Sequence, residues 1–214
     1  MAEKKDASPD PDASARTVAR RERAVAEHDQ TRARLLAAAR DIVRKDGAFG
    51  LTVAVVAEAT GLTRTTVYRY FDGSSDMVYA LSDETMQLIY ARVAELDPTD
   101  RRYLDAYVKV AVEEFCSDSE VNRQTVLLSG TQRFRGEMAQ VNPEVIVLEN
   151  LRARQAQGLL EVDDVELAAR AVATYFRGAL YGWASGFYTD EEFATEVARS
   201  IKAGFALGGG KEVG

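Results

Sequence analysis

Residues 62–71 read Leu-Thr-Arg-Thr-Thr-Val-Tyr-Arg-Tyr-Phe and follow Ala57-Glu58-Ala59-Thr60-Gly61. Few stretches of a chain constrain its folding as tightly. Thr52 is placed to cap a short helix over 53–60, because a threonine hydroxyl accepts the free backbone N–H groups of a first turn. Gly61 can take the positive φ of a tight turn. Thr63 then caps a second short helix carrying Arg64, Thr65, Thr66, Tyr68 and Arg69. Two helices joined by a short turn containing glycine form a helix-turn-helix, whose second helix enters the major groove of DNA.

The surrounding residues extend this pattern. Thr31-Arg32, Leu35-Leu36 and Ala38-Ala39 lie on a preceding helix, followed by Gly47, Thr52, Ala57, Gly61, Thr66, Tyr68 and Phe71. In these residues the segment Thr31–Leu81 resembles the DNA-binding domain of TetR-family transcriptional regulators. The spacing from Gly47 to Phe71 fits that family's pattern without insertion. Three positions depart from it: Val56 stands where isoleucine is usual, Thr65 where glycine is common, and Ser74 where a lysine contacts phosphate. Losing that lysine removes one phosphate contact and its counterion release.

Hydrophobic residues make up 46% of the 214 and proline only 4, which favours a helical globular protein with a sizeable core. No apolar run approaches the ~20 residues of a membrane span. The start, Met-Ala-Glu-Lys-Lys-Asp, lacks the apolar stretch of a signal peptide. The single cysteine, Cys116, excludes an internal disulfide framework and suits a reducing cytoplasm. Its simplest role is a small core residue, with a redox sensor as the second reading. The net charge of −7 looks unfavourable for a DNA binder until it is divided. Residues 1–28 hold six cations and six acids, residues 29–80 seven and six, and residues 81–214 fourteen and twenty-two. The acidity therefore lies in the C-terminal part, which DNA repels.

The expected fold is all-α: an N-terminal three-helix helix-turn-helix domain, then an antiparallel helical ligand-binding and dimerisation domain. The expected boundaries are an N-terminal arm over 1–28 that is disordered or partly helical, a DNA-binding domain over 29–80, and a ligand-binding and dimerisation domain over 81–214. Residues 1–13 are rich in Ala, Asp, Pro and Ser and read as disordered. From Ser14 to Asp46 nothing breaks a helix. Arg16, Arg20, Arg21 and Arg23 read either as an arm touching DNA phosphates or the minor groove, or as a solvated tail. Leu35, Ala39, Ile42 and Val43 form an apolar stripe on the first helix. A long fourth helix is predicted from Gly73-Ser74 to about Leu96, and further helices near 100–116, 119–134, 142–157, 163–188 and 190–207. Pro143 suits a first helical position, and Thr189 with Glu192 a capping box. No segment shows strand alternation.

The expected DNA contacts are Thr52, Thr63, Arg64, Thr65, Thr66, Tyr68, Arg69 and Tyr70. Arginine bonds guanine bidentately, threonine meets a thymine methyl or a phosphate, and tyrosine donates to phosphate. Phe71 reads as core. On 171–187, Gly178, Gly182 and Gly186 recur every four residues beside Ala171 and Tyr175. A mid-helix glycine costs roughly 1 kcal/mol relative to alanine, so the repeat suggests a close helix–helix approach. Val172, Phe176, Leu180, Trp183 and Phe187 take the other side. The last helix carries Phe193, Val197, Ile201 and Phe205 as one stripe. The resemblance implies a dimer formed by the last two helices, so Ala171, Tyr175, Gly178, Gly182, Gly186, Val197 and Ile201 are expected at the interface; intramolecular packing of both helices is the alternative. Met86, Tyr90, Tyr107, Phe134, Phe176 and Trp183, with Met138, are candidates to line an apolar small-molecule pocket or to be plain core.

Catalytic chemistry lacks residues to carry it. His28 is the one histidine, so no His/Cys metal cluster can form, and no cofactor is expected. No phosphate-binding or dinucleotide fingerprint is present. Ser129-Gly130 lacks the flanks of a nucleophile elbow. Glu113-Glu114 and Asp163-Asp164 are adjacent acids and read as solvated. The expected function is therefore a cytoplasmic, homodimeric, sequence-specific regulator binding double-stranded operator DNA, most simply a repressor released by a mostly apolar effector, with no membrane partner. Two alternatives stand beside it: a ligand-binding or scaffolding helical dimer with weakened DNA binding, and a ligand-independent repressor or activator.

Overall fold

The computed structural model describes residues 11–100, 102–133 and 143–212, and its architecture is all-α. The first helix, α1, runs unbroken over Pro11–Asp46. It thus begins before the end of the segment read as disordered; residues 1–10 lie outside the described residues. Its C-terminal half is packed, with Leu35, Leu36, Ala39, Ile42 and Val43 buried, while residues 18–30 are exposed throughout. A 3-10 turn, Ala48–Gly50, leads into α2 (Val53–Thr60), α3 (Arg64–Tyr68) and α4 (Ser74–Val93). The following helices are α5 (Tyr103–Cys116), α6 (Ser119–Arg133), α7 (Pro143–Ala156), α8 (Val165–Ala184) and α9 (Asp190–Leu207). Two-residue strands, β1 (Leu160–Glu161) and β2 (Lys211–Glu212), pair antiparallel and tie the end of the chain to the α7–α8 connection. No sequence signal marks this pairing, because two residues are too few for alternation to register.

The N-terminal core takes Leu35 and Val43 from α1, Val56 from α2, Val67 from α3, Phe71, and Met77 and Leu81 from α4. Val121 of α6 completes it, so the head is anchored to the rest of the chain by apolar packing. Polar contacts reinforce this junction. The Gln124 side chain accepts from the Ala48 N–H at 2.6 Å and donates to the Val43 carbonyl at 3.3 Å, tying α6 to the backbone at the end of α1. Asp118 pairs with Arg44 at 2.8 Å and Arg40 at 3.7 Å.

A second core joins α4, α5, α6, α8 and α9 around Phe115, Trp183, Phe193 and Val197. A third, with Leu151, Leu160, Ala168 and Phe205, closes the α7 end. Helices α8 and α9 form an antiparallel hairpin begun by the predicted capping box: Thr189 accepts from the Glu192 N–H and Glu192 accepts from the Thr189 N–H. The two helices meet tightly at Gly204 of α9. A Cβ there would stand 2.2 Å from Val172 Cγ2 and 2.9 Å from the Ala168 carbonyl oxygen, so only glycine fits without displacement. This is the close approach that small residues permit, inside one chain and at a glycine the spacing argument did not single out.

Candidate nucleic-acid interface and ligand cavity

The turn geometry follows the residues that predicted it. The Thr52 side chain accepts from the Val55 N–H at 3.2 Å. Gly61 sits at φ 67°, ψ 21°, the left-handed region, and its N–H closes the end of α2 on the Ala57 and Glu58 carbonyls. The Thr63 hydroxyl accepts from the Thr66 N–H at 3.1 Å and starts α3. A five-residue helix has little stability of its own. It is held by Val67, fully buried in the head core, and Phe71 just beyond it.

With Val67 as the inward anchor, Thr63, Arg64, Thr65, Tyr68 and Arg69 are exposed, as is Thr52. Thr66 and Tyr70 are half-buried. The Thr66 hydroxyl is engaged with that of Thr63 at 2.9 Å, so its first role is local capping. Tyr70 packs on the head core, its ring 4.6 Å from that of His28, with the Arg69 guanidinium 5.9 Å away. The His28 contact brings the exposed part of α1 alongside the residues that follow α3. Arg34 holds the Thr60 carbonyl and the Arg32 guanidinium lies 5.3 Å over Phe71, fastening α1 to both other helices of the head. Ser74, at the position of the family's lysine, is the first residue of α4.

In the C-terminal part, α4, α5, α7, α8 and α9 enclose a cavity of about 850 Å³, open solvent at its mouth included. Met86, Tyr90, Tyr107 and Phe176 line it, as the sequence suggested. Phe134 and Met138 lie outside the described residues. Trp183 does not line the cavity. It is fully buried one layer behind, stacked on Phe193 at 5.0 Å, its indole N–H donating to Asp190 Oδ1 at 2.7 Å and the Arg123 guanidinium 4.6 Å from its ring. An aromatic helix side can face either a cavity or a polar lock at its rim, and helical spacing alone cannot separate the two. The walls also use Tyr103, Asn150 and Ser200, which the sequence reading passed over, and Phe205, which it placed only in the α9 stripe. Asn150 on the otherwise apolar Val147–Leu151 stripe was the available signal.

The polar lock around Trp183 joins three helices. Asp190 receives Trp183, Ser119 at 2.8 Å and Arg123 at 2.9 Å, and Arg123 also donates to the Trp183 and Tyr188 carbonyls. Burial pushes the Asp190 pKa up, but these donors outweigh it and hold the carboxyl below its usual range. Cys116 beside this lock has its thiol pushed up to about 11, by burial first and the Asp190 charge second. A thiol so raised is a poor nucleophile, which favours the structural role. Glu113 and Glu114 are not merely solvated: Arg92 bonds both, at 2.6 Å each, and Glu114 is largely buried by it. Asp164 caps α8 by accepting from the Leu167 N–H.

The expected interface residues divide. Ala171, Tyr175 and Gly178 lie on the outer side of α8, where Leu167 and Tyr181 are also exposed. A Cβ on Gly178 would meet nothing within 4 Å. Gly182 instead receives the Tyr188 ring of its own chain, and Gly186 lies past the end of α8 at φ 81°. Val197 is fully buried and Ile201 half-buried, and both line the cavity. They face the chain's own interior because the α9 stripe packs onto α5 and α8.

Among the described residues no group of His, Cys, Asp and Glu could hold a metal ion, and no helix is long and apolar enough to cross a membrane.

Residues 35–81 match the family model for bacterial regulatory proteins of the tetR family. The chain is 29% identical over 180 residues to the probable HTH-type transcriptional regulator ArpR of Pseudomonas putida, covering 73% of this chain and 81% of that one. Its fold is similar to that of a TetR-family protein from Syntrophomonas wolfei (TM-score 0.65, 14% identity, 84% of this chain and 97% of that one). It is also similar to SmeT in a complex with triclosan (0.60, 20%, 83% and 90%) and to the Thermus thermophilus repressor FadR in complex with lauroyl-CoA (0.56, 20%, 81% and 93%). With the helix-turn-helix geometry above, the head over residues 35–81 is a DNA-binding domain of the tetR-family type, and the chain as a whole is similar to TetR-family transcriptional regulators.

Proposed function

We propose that this regulator is a repressor released from operator DNA by a small, mostly apolar molecule bound in the cavity. The observation that carries this reading is α4. Its first turns supply Met77 and Leu81 to the head core, and its later turns supply Met86, Ile89 and Tyr90 to the cavity wall. At 1.5 Å per residue, Met77 and Met86 are about 13 Å apart on one rigid element. A ligand that displaces α4 in the cavity therefore displaces the head. In a dimer, two recognition helices must meet half-sites about one DNA turn apart, so a change in their spacing weakens binding without ligand touching DNA.

In this reading residues 29–80 bind the operator through Thr52, Thr63, Arg64, Thr65, Tyr68 and Arg69, and residues 81–214 sense and dimerise. The dimer uses the outer side of α8 through Ala171, Tyr175 and Gly178, a face of apolar and small residues uncovered in one chain. The protein works in the cytoplasm without a cofactor. The complexes of SmeT with triclosan and FadR with lauroyl-CoA support a ligand role for the cavity, since those proteins share the fold.

The test is fluorescence anisotropy on the DNA upstream of the protein's own coding sequence, with compounds first selected by thermal shift. A ligand that stabilises the protein and lowers operator affinity supports the reading. Linkage demands the reciprocal result, operator DNA lowering ligand affinity by the same factor. A ligand that stabilises the protein and leaves DNA affinity unchanged overturns release and favours a scaffold.

A further inference from the structure

Arg154 is the buried cation the fold leaves incompletely answered. It lies on α7 one turn beyond Asn150 and Leu151, both in the cavity wall, and is 5% exposed. Its Nη1 donates to the Pro98 carbonyl at 2.7 Å and the Asp100 carbonyl at 3.0 Å. Its Nε is buried without any hydrogen-bond partner. Two half-buried arginines show the contrast: Arg123 meets Asp190, and Arg40 meets Glu84 and Asp118. Arg154 forms no ion pair among the described residues. A guanidinium out of water with only neutral acceptors is strongly disfavoured unless an anion arrives.

The cavity wall beside it is made of donors. The guanidinium carbon is 5.8 Å from the centre of the Tyr103 ring, and Tyr103 lines the cavity. The Tyr107 ring is 6.4 Å from that of Tyr103. Burial, the first cause, pushes the Tyr107 phenol up to about 12, so it remains an O–H donor at neutral pH. Its hydroxyl has no hydrogen-bond partner among the described residues. Asn150 donates one amide hydrogen to the Ile146 carbonyl at 2.9 Å and retains a second. Among the described residues none that lines the cavity is charged. Most of the remaining lining is apolar, Met86, Phe176 and Ile201 among it.

We infer that the effector is an acid: an apolar body in the cavity with one carboxylate at the Tyr103–Tyr107–Asn150 pole, its charge answered by Arg154. This rests on the reading of the cavity as the effector site. A structural role for Arg154 accounts for the two carbonyl contacts with the α4–α5 connection, but not for a cation kept without a counter-charge next to unpaired donors.

The experiment is calorimetric titration of the full chain with two matched pairs, decanoic acid against 1-decanol and 4-biphenylcarboxylic acid against 4-biphenylmethanol. The pairs differ in body shape and share the contrast in head group. In at least one pair the acid should bind about 10- to 100-fold tighter than the alcohol, the range for hydrogen bonds to a charged group. Arg154→Met should abolish that ratio and leave the alcohol's Kd within about twofold, an outcome a purely structural arginine cannot produce. Should Arg154→Met fail to fold, Tyr107→Phe carries the test, since it removes one donor and keeps the ring. It should weaken the acid and spare the alcohol. An alcohol bound as tightly as its acid, or a ratio that survives both substitutions, overturns the acidic head while the cavity reading stands. Binding of none of the four probes overturns both.

Discussion

Gly178 separates a free helix surface from a dimer interface. It is exposed in mid-α8, and an added Cβ meets nothing within 4 Å among the described residues of its own chain. Within one protomer Gly178→Ala should therefore stabilise by about 1 kcal/mol, the helix-propensity difference. That is a rise of about 2–4 °C in thermal midpoint for a chain of this size. In the proposed dimer the same position faces a second copy. Overpacking a close helix contact costs about 1–3 kcal/mol. Two-fold symmetry applies the cost twice, so Gly178→Leu should weaken dimerisation by about 2–6 kcal/mol, roughly 30-fold to 20,000-fold. Gly204→Ala is the internal control. One atom in its way is the Ala168 carbonyl, which cannot rotate aside. An overpacking cost near 3 kcal/mol against a propensity gain near 1 leaves a net loss of about 2 kcal/mol, a midpoint lower by about 4–8 °C. Light scattering across a dilution series reads the mass, and thermal melts read the protomer. A Gly178→Leu protein that melts normally and dissociates no more readily than wild type refutes the proposed interface. Gly182→Leu is the weaker probe, because its side chain first strikes Tyr188 of the same chain.

Arg64→Ala should weaken operator binding with the thermal midpoint unchanged, since Arg64 is exposed, whereas Val67→Ala should lower both through the head core; equal operator affinity for Arg64→Ala and wild type by anisotropy sinks the α3 assignment. Deleting residues 1–24 removes Arg16, Arg20, Arg21 and Arg23, and should flatten the slope of log K against log salt by up to ~0.9 per lost phosphate contact; an identical slope identifies this part of α1 as a solvated tail. Asp190 has a depressed folded-state pKa, so its contribution is present above the usual aspartate value and is lost as pH falls through the folded one. Asp190→Asn should accordingly be less stable than wild type at pH 7, with the gap closing below about pH 4; a gap independent of pH in denaturant melts contradicts the lock around Trp183. Cys116, with its thiol near 11, should react with iodoacetamide at pH 7.5 roughly two to three orders of magnitude more slowly than free cysteine, and a comparable rate would show the site to be open.

The sequence by itself determined the local events whose chemistry is complete within a few residues. Thr52, Gly61 and Thr63 specify their caps and turn because hydroxyl acceptance and positive φ are properties of neighbouring backbone. Thr189 with Glu192 behaves likewise, and so does the apolar stripe Leu35–Val43 that buries one side of α1. From these the all-α architecture and the DNA-reading head were legible, as were Met86, Tyr90, Tyr107 and Phe176 in the cavity wall. Tertiary structure decided which of two apolar sides a helix turns to which neighbour. Trp183 and Phe176 share one side of α8, seven residues apart, yet one closes a polar lock and the other a cavity, because Arg123 of α6 and Asp190 of α9 meet the helix at its Trp183 end. Val197 and Ile201 turn inward, and the close approach of α8 and α9 falls at Gly204 rather than on the 178–186 spacing, because the hairpin sets which faces meet. Arg154 shows the limit most plainly. Nothing around it in sequence marks it as buried, and only the convergence of α7 with the α4–α5 connection removes it from water with no counter-charge among the described residues.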